Sequence, residues 1–395
     1  MTLILKIAFR YLISARGSTL LITFISFFGV FLSVCAILLT LGVFTGFQDS
    51  LKEKILSTAP HIIVSTVSDK DLKSIKKEIE KIPQVKGAII FTLYSAILAK
   101  EGRVQPVTVK AVDYKEEFLK ELVKKQLKEG LLRDAVVGKG IADVLGVRVG
   151  GEAVLVFPMG IRTPTGFIPK TKNVKIGGIF ETGAYDRDFV LVYMEREKAK
   201  NFFKRGFRLE GVEVYVKDPY RVQEIKEIIR EKIESDYIFI RSWIDLNKPL
   251  FNALQLEKLA LFLILLLMVF VASFNITSLL FVKSREKVKD IAILKTFGMR
   301  SKDILAIFIT VGISIGTVGS IVGIGASFLI AHFINEYKLI RVPEEVYMMS
   351  YIPVHIQFTD LLATFIGTIL LSFGASLIPA LKVAKENVIG ILRNE

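Results

Sequence analysis

"LALFLILLLMVFVASFNITSLLFV", Leu259–Val282, contains no charged side chain. A helix needs about 20 apolar residues to cross the hydrocarbon core of a bilayer, so the run predicts a membrane span. Three more runs are equally free of charge: Gly17–Gln48, Ile304–Ala331 and Leu361–Leu381. Together they explain why a chain of 395 residues is 52% hydrophobic, with a mean hydropathy of +0.49.

The charges between the runs orient them. Residues 1–16 carry Lys6, Arg10 and Arg16 and no acid. The 283–303 loop has seven Lys/Arg against three acids, and the 382–395 tail three against two. The 332–360 loop has two basic and four acidic residues. Short basic segments stay in the cytoplasm, so both termini and the 283–303 loop are expected inside. The fold class read from this pattern is a four-helix membrane protein with a large extracytoplasmic α+β domain. Its segments are 1–16 inside, 17–48 first span, 49–257 outside domain, 258–282 second span, 283–303 inside loop, 304–331 third span, 332–360 outside loop, 361–381 fourth span and 382–395 inside tail. The net charge of +14 reads as topology plus a solvated surface, without nucleic acid as partner. The first run is too long for a signal-peptide core, and no small-residue cleavage site follows it. The single cysteine, Cys35, lies in mid-span, so no internal disulfide, redox chemistry or zinc site is expected. The three histidines lie far apart, near the expected membrane boundaries.

The outside domain alternates strands and helices. "HIIVSTV" (61–67), "DKDLKSIKKEIEKI" (69–82) and "VKGAIIF" form a strand–helix–strand unit with Leu72, Ile75 and Ile79 on one helix face. "GVEVYVKD" (211–218), "PYRVQEIKEIIREKI" and "DYIFI" repeat it, with Val222, Ile225 and Ile229 at the same spacing. The two copies are expected to pack as one lobe, with the strand-rich sequence between them as a second. "FPMGIRTPTGFIPK", Phe157–Lys170, holds three prolines and two glycines between strands, so it is expected to leave the ladder as a stiff loop. Met159, Ile161, Phe167 and Ile168 would make that loop a binding surface.

No catalytic set and no phosphate-binding loop stands out. "VVGKGIADVLGVRVGG" lacks the required spacing. "GISIGTVGSIVGIGAS" sits inside a span, where small residues let helices approach closely. A transporter built from this chain therefore takes its energy from elsewhere, with no cofactor or metal bound by the chain itself.

"EKVKDIAILKTFGM", Glu286–Met299, lies between the second and third spans. As a helix it carries Val288, Ile291, Ala292 and Leu294 in one apolar arc, with Phe297 nearby. It is either an interfacial anchor or a docking helix. The stretch closely resembles the coupling helix of type VII ABC permeases, which share the order of one span, a large outside domain and three further spans. "TGFQDSLKEKILSTAPHIIV" (45–64), "PLFNALQLEKLALFLILLLMVFVASFNITS" (249–278) and "GFIPKTKNVKIGGIFETGAYDRD" (166–188) resemble one branch of that superfamily, the lipoprotein-releasing LolC/LolE permeases. The tail departs, with Asn387 and Gly390 where proline and glutamate are usual.

The resemblance implies porter and sabre lobes in the outside domain. It implies a dimer with a second permease copy or paralogue, and a LolD-like ABC ATPase supplying ATP and Mg²⁺. Triacylated lipoproteins would be the cargo, among membrane lipids, and the periplasmic chaperone LolA the acceptor. Glu286, Lys287, Asp290, Ile291, Leu294 and Phe297 would then dock on the ATPase. Val43, Phe44, Phe47, Leu254, Leu261 and Leu265 would line the lipoprotein cavity. Met159, Ile161, Pro164 and Phe167 would form the chaperone hook, with Lys170 and Lys172 against the chaperone's acidic rim. Two alternatives stay open: a MacB/FtsX-type mechanotransmission permease for efflux or cell-wall hydrolase control, and a membrane-anchored binding module without transport. A secondary transporter is disfavoured by four spans without membrane-embedded ion pairs.

Overall fold

A computed structural model describes residues 2–13, 17–66, 72–163, 166–203, 209–233, 238–343 and 349–385. The chain divides into a membrane unit and a unit built mainly from Leu51–Leu250. Among the described residues, four helices are long and apolar enough to cross a membrane. They are α2 (Gly17–Thr58), α10 (Lys248–Glu286), α12 (Ser301–Glu336) and α13 (Phe358–Lys385). The membrane unit also holds two short helices among the described residues, α1 (Thr2–Ile13) and α11 (Val288–Thr296).

The glycines of α12 explain its central place. Val30 of α2 lies 3.0 Å, and Val34 of α2 3.1 Å, from where a Cβ on Gly319 or Gly323 would sit. A Cβ on Gly312 or Gly316 would land on the hydroxyl of Ser376 or Ser372 in α13. Hydroxyls on the buried face of α13 bond back into their own helix, Thr368 to Thr364 O at 2.8 Å and Ser376 to Ser372 O at 2.6 Å. They therefore cost little to bury. Gly316→Val should lower the thermal midpoint of the purified chain, consistent with the roughly 1–3 kcal/mol of an overpacked core. Gly325→Val on the same helix has nothing within 4 Å of the added Cβ and should leave the midpoint unchanged. Equal midpoints for the two variants would contradict the packing.

The second unit begins with a ferredoxin-like arrangement. β1 (Ile62–Thr66), α3 (Leu72–Glu80) and β2 (Val85–Lys100) form the first unit, and β9 (Leu209–Val216), α8 (Val222–Lys232) and β10 (Ile238–Ser242) the second. Their strands interleave in the order β10-β1-β9-β2, all neighbours antiparallel. This is the split βαβ pattern. Leu72, Ile75 and Ile79, and Val222, Ile225 and Ile229, are the buried residues of their two helices.

The intervening sequence forms the second lobe, and the long β2 belongs to both. Its first half pairs with β9 and its second half with β3 (Arg103–Val112). From β3 the ladder passes to β8 (Leu191–Glu195), β5 (Ala135–Gly138), β7 (Gly166–Phe180) and β6 (Glu152–Thr163). β6 returns to β2 through Ile97↔Val156. The pairing thus closes on itself, which removes two edges. Alternate residues of these strands, such as Tyr94, Ala96 and Leu98, or Val107 and Val109, share one buried cluster. α4 (Glu117–Gln126) covers other strand residues, Leu119 and Val123 packing with Phe91, Phe180 and Tyr193. Across β2, Lys110 of β3 meets Glu213 of β9 at 2.6 Å, both side chains buried.

His61 clips this sheet together. Its backbone N–H donates to Val214 O at 3.1 Å, and its carbonyl accepts from Trp243 N at 2.9 Å. Its Nδ1 accepts the Val216 amide at 3.0 Å. Burial pushes the imidazole pKa below its ordinary 6.5. The folded state therefore favours neutral His61. Its contribution is fully present above pH 6.5 and is lost as pH falls from there towards the lowered native value. Trp243, the single tryptophan, adjoins the site and reports it by fluorescence. His61→Ala should cost about 1–3 kcal/mol by leaving the Val216 amide unpaired, and should flatten the loss of stability between pH 7 and pH 5. An unchanged acid slope would contradict this account.

Candidate functional sites

α11 joins α10 to α12 at the end of the bundle that also holds α1. Its C-terminus is a Schellman cap: Met299 N donates to Leu294 O at 3.1 Å and Gly298 N to Lys295 O at 3.0 Å. Gly298 supplies the required left-handed conformation at φ +93°. Ile291 and Ala292 are buried, and Ile291 shares a cluster with Ala8, Tyr11, Ile304 and Val383. Ile291 therefore cannot fill a partner's groove, and that expectation is corrected. The outward stripe is one step round the helix. Ile293 is 49% and Phe297 86% exposed, with Glu286, Lys289 and Asp290 exposed above them. Leu294 is half-buried. Lys287 pairs with Asp290 at 3.1 Å and lies 5.7 Å over the Tyr11 ring.

At the opposite end of the bundle, Val43, Phe44 and Phe47 on α2 and Leu261 and Leu265 on α10 are half-buried. Leu265 packs against the cluster of Ile37, Leu41 and Val269. Leu254 is buried and presents no surface to a cargo, another correction. The exposed ridge of α10 is instead Leu256, Leu263, Leu267, Phe270 and Phe274.

Sequence reasoning passed over a polar node here. Lys258 Nζ reaches Asp360 Oδ2 at 2.8 Å, Gln357 Oε1 at 3.1 Å and Thr45 Oγ1 at 3.2 Å. One ammonium thus joins α2, α10 and the start of α13. The segment 353–355 lies against Gly42 and Gly46: His355 N donates to Gly42 O at 2.9 Å, and a Cβ on Gly46 would overlap Pro353 O. The signal was present as a lone charged pair, Glu257 and Lys258, at the mouth of an apolar run.

The Phe157–Lys170 stretch departs from expectation. It does not leave the ladder; it prolongs β6 and β7 into a hairpin. Pairing runs from Glu152↔Lys175 to Phe157↔Lys170, shifts register, and resumes from Ile161↔Ile168 to Thr163↔Gly166. Pro158 and Pro169 fall within that shift, where a missing N–H costs no ladder bond. Pro164 lies outside the described residues, as do the side chains of Met159, Ile161 and Phe167 and the tail positions Asn387 and Gly390. Ile168 is exposed. Lys170 donates to Phe202 O at 2.8 Å and lies 5.1 Å over the Phe202 ring, so its ammonium is engaged within its own domain. Lys172 is exposed.

Two family models match successive parts of the chain. Residues 23–232 match the family described as MacB-like periplasmic core domain, and residues 262–388 the FtsX-like permease C-terminal family. The chain is 27% identical over 408 residues to the lipoprotein-releasing system transmembrane protein LolC of Neisseria meningitidis, covering 98% of each chain. It is 26% identical to the corresponding LolE of Haemophilus influenzae, covering 92% of each. The periplasmic region of MacB from Actinobacillus actinomycetemcomitans aligns with 51% of this chain and 98% of its own, at 12% identity and a TM-score of 0.34. The chain belongs to the family with a MacB-like periplasmic core domain and is similar over nearly its whole length to the LolC/LolE permeases: it is a multi-pass membrane subunit of the ABC transporter class, in the bacterial inner membrane with its large domain in the periplasm.

Proposed function

We propose that this permease extracts triacylated lipoproteins from the inner membrane and passes them to the periplasmic chaperone LolA. A separate LolD-like ATPase would drive it by hydrolysing Mg²⁺-ATP, and a second permease copy or paralogue would complete the membrane part. The observation that carries this reading is the match, across 98% of both chains, to a permease named for lipoprotein release.

Three surfaces give the reading a physical form. Ile293 and Phe297 offer apolar anchors to an ATPase groove, with Glu286 and Asp290 beside them. The half-buried Val43, Phe44 and Phe47 and the exposed α10 ridge offer an apolar wall to acyl chains. Each buried methylene is worth about 0.8 kcal/mol, so three chains need such a wall. The β6–β7 hairpin offers the chaperone contact. Depleting the chain in its own host should leave outer-membrane lipoproteins in the inner membrane on density fractionation. Normal sorting, with altered drug tolerance or cell separation instead, would favour the mechanotransmission reading to which the MacB-like match also points.

A further inference from the structure

α1 differs from the four spans. Its twelve residues, Thr2–Ile13, are too few to cross the bilayer. Only residues 14–16 separate it from the start of α2 at Gly17. Three residues reach about 10 Å at most, so α1 is held at the cytoplasmic membrane surface. Its inner face is occupied: Ala8 and Tyr11 are buried in a cluster with Ile304, Phe308 and Val383, and Ile4 and Ile7 pack against it.

The outer face carries two parallel ridges. Leu5 is 52% and Phe9 66% exposed, one turn apart. Lys6 and Arg10, also one turn apart, are exposed beside them. Among the described residues neither cation has an acidic partner, and residues 1–16 contain no acid. An apolar ridge alongside a basic ridge suits the headgroup zone, where rings enter the acyl layer and cations meet phosphate. Among the described residues the two cations thus stand ready for a negative charge supplied by another molecule.

We propose that α1 binds anionic phospholipid of the cytoplasmic leaflet, with Leu5 and Phe9 seated among acyl chains and Lys6 and Arg10 bracketing a headgroup phosphate. Side chains four apart on a helix stand about 6 Å apart at Cβ, which suits two cations on one phosphate. Each basic side chain at an anionic surface gives roughly a fivefold preference for it. The contact would anchor the permease independently of cargo and of nucleotide.

The full chain carrying Phe9→Trp tests this in phosphatidylcholine vesicles containing, at equal mole fraction, brominated phosphatidylglycerol or brominated phosphatidylcholine. The parent chain supplies the Trp243 baseline. The new indole should be quenched by both lipids, and more strongly by phosphatidylglycerol. Adding Lys6→Gln and Arg10→Gln should lower that selectivity by about an order of magnitude while quenching by phosphatidylcholine persists. Equal quenching by the two lipids before the charge substitutions would overturn the headgroup assignment. Absence of quenching would overturn the membrane-surface assignment and point to a protein covering α1.

Discussion

Removing Gly160–Ile168 should abolish binding of LolA to the permease, with at least about a hundredfold loss of affinity, because interface anchors cost about 2 kcal/mol or more each when truncated. The excised tip holds the three pairs beyond the register shift, Ile161↔Ile168 to Thr163↔Gly166. Ladder pairs from Glu152↔Lys175 to Phe157↔Lys170 remain, and β7 keeps its partners β4 (Leu127–Gly130) and β5. The domain should therefore stay folded, with the buried Phe157 and Val174 still in their core. Lys172→Glu should slow association and weaken its salt dependence, since exposed charges act mainly on the on-rate. Lys170→Glu should instead disturb the domain, because its ammonium is engaged at Phe202. Calorimetry with purified LolA separates these outcomes. Undiminished affinity after the deletion would remove the hook assignment and give chaperone recruitment to the partner permease.

The second large effect is expected at α11. Ile293→Asp with Phe297→Asp should leave the chain in the membrane at normal level but lower its affinity for the ATPase by about two to three orders of magnitude. Burying one such side chain is worth about 1.5–3 kcal/mol. Ile291→Asp should act differently, placing a charge in the bundle beside Tyr11 and Ile304 and reducing the amount of folded permease. Co-purification with the ATPase and the yield of the chain together distinguish the two. Normal co-purification by the double variant would exclude this stripe as the docking surface.

The contrast between Ile291 and Ile293 shows how far a sequence of this kind can be read. Four aliphatics in a row, Ile291 to Leu294, carry almost no phase information, because every rotation of the helix buries two of them. Packing against α12 and against α1 and α13, which are remote in sequence, settles the phase. The faces of α3 and α8 were legible because charged residues separate their aliphatics at three- and four-residue spacing. The spans were legible because a charge in the hydrocarbon core is costly. The closed ring of strands was not, since it depends on β2 being long enough to pair with both lobes. Proline reads as a ladder breaker, so Phe157–Lys170 reads as a loop, whereas a register shift absorbs two of its three prolines.

The Lys258 node illustrates a different limit. Nothing local marks Thr45, Gln357 and Asp360 as partners of one lysine, and they lie more than 90 positions from it in sequence. The glycines at Gly42 and Gly46 are similar: they read as span composition until the 353–355 backbone is seen lying on them.

The central claim is delivery of lipoprotein to a soluble acceptor at the expense of ATP. The most direct measurement reconstitutes the permease and its ATPase in vesicles loaded with a labelled triacylated lipoprotein, then adds LolA. The label should leave the vesicles as a soluble complex only when Mg²⁺-ATP and LolA are both present, and should stay behind when the β6–β7 tip is deleted. Steady ATP hydrolysis with the label retained in the vesicles would contradict the account.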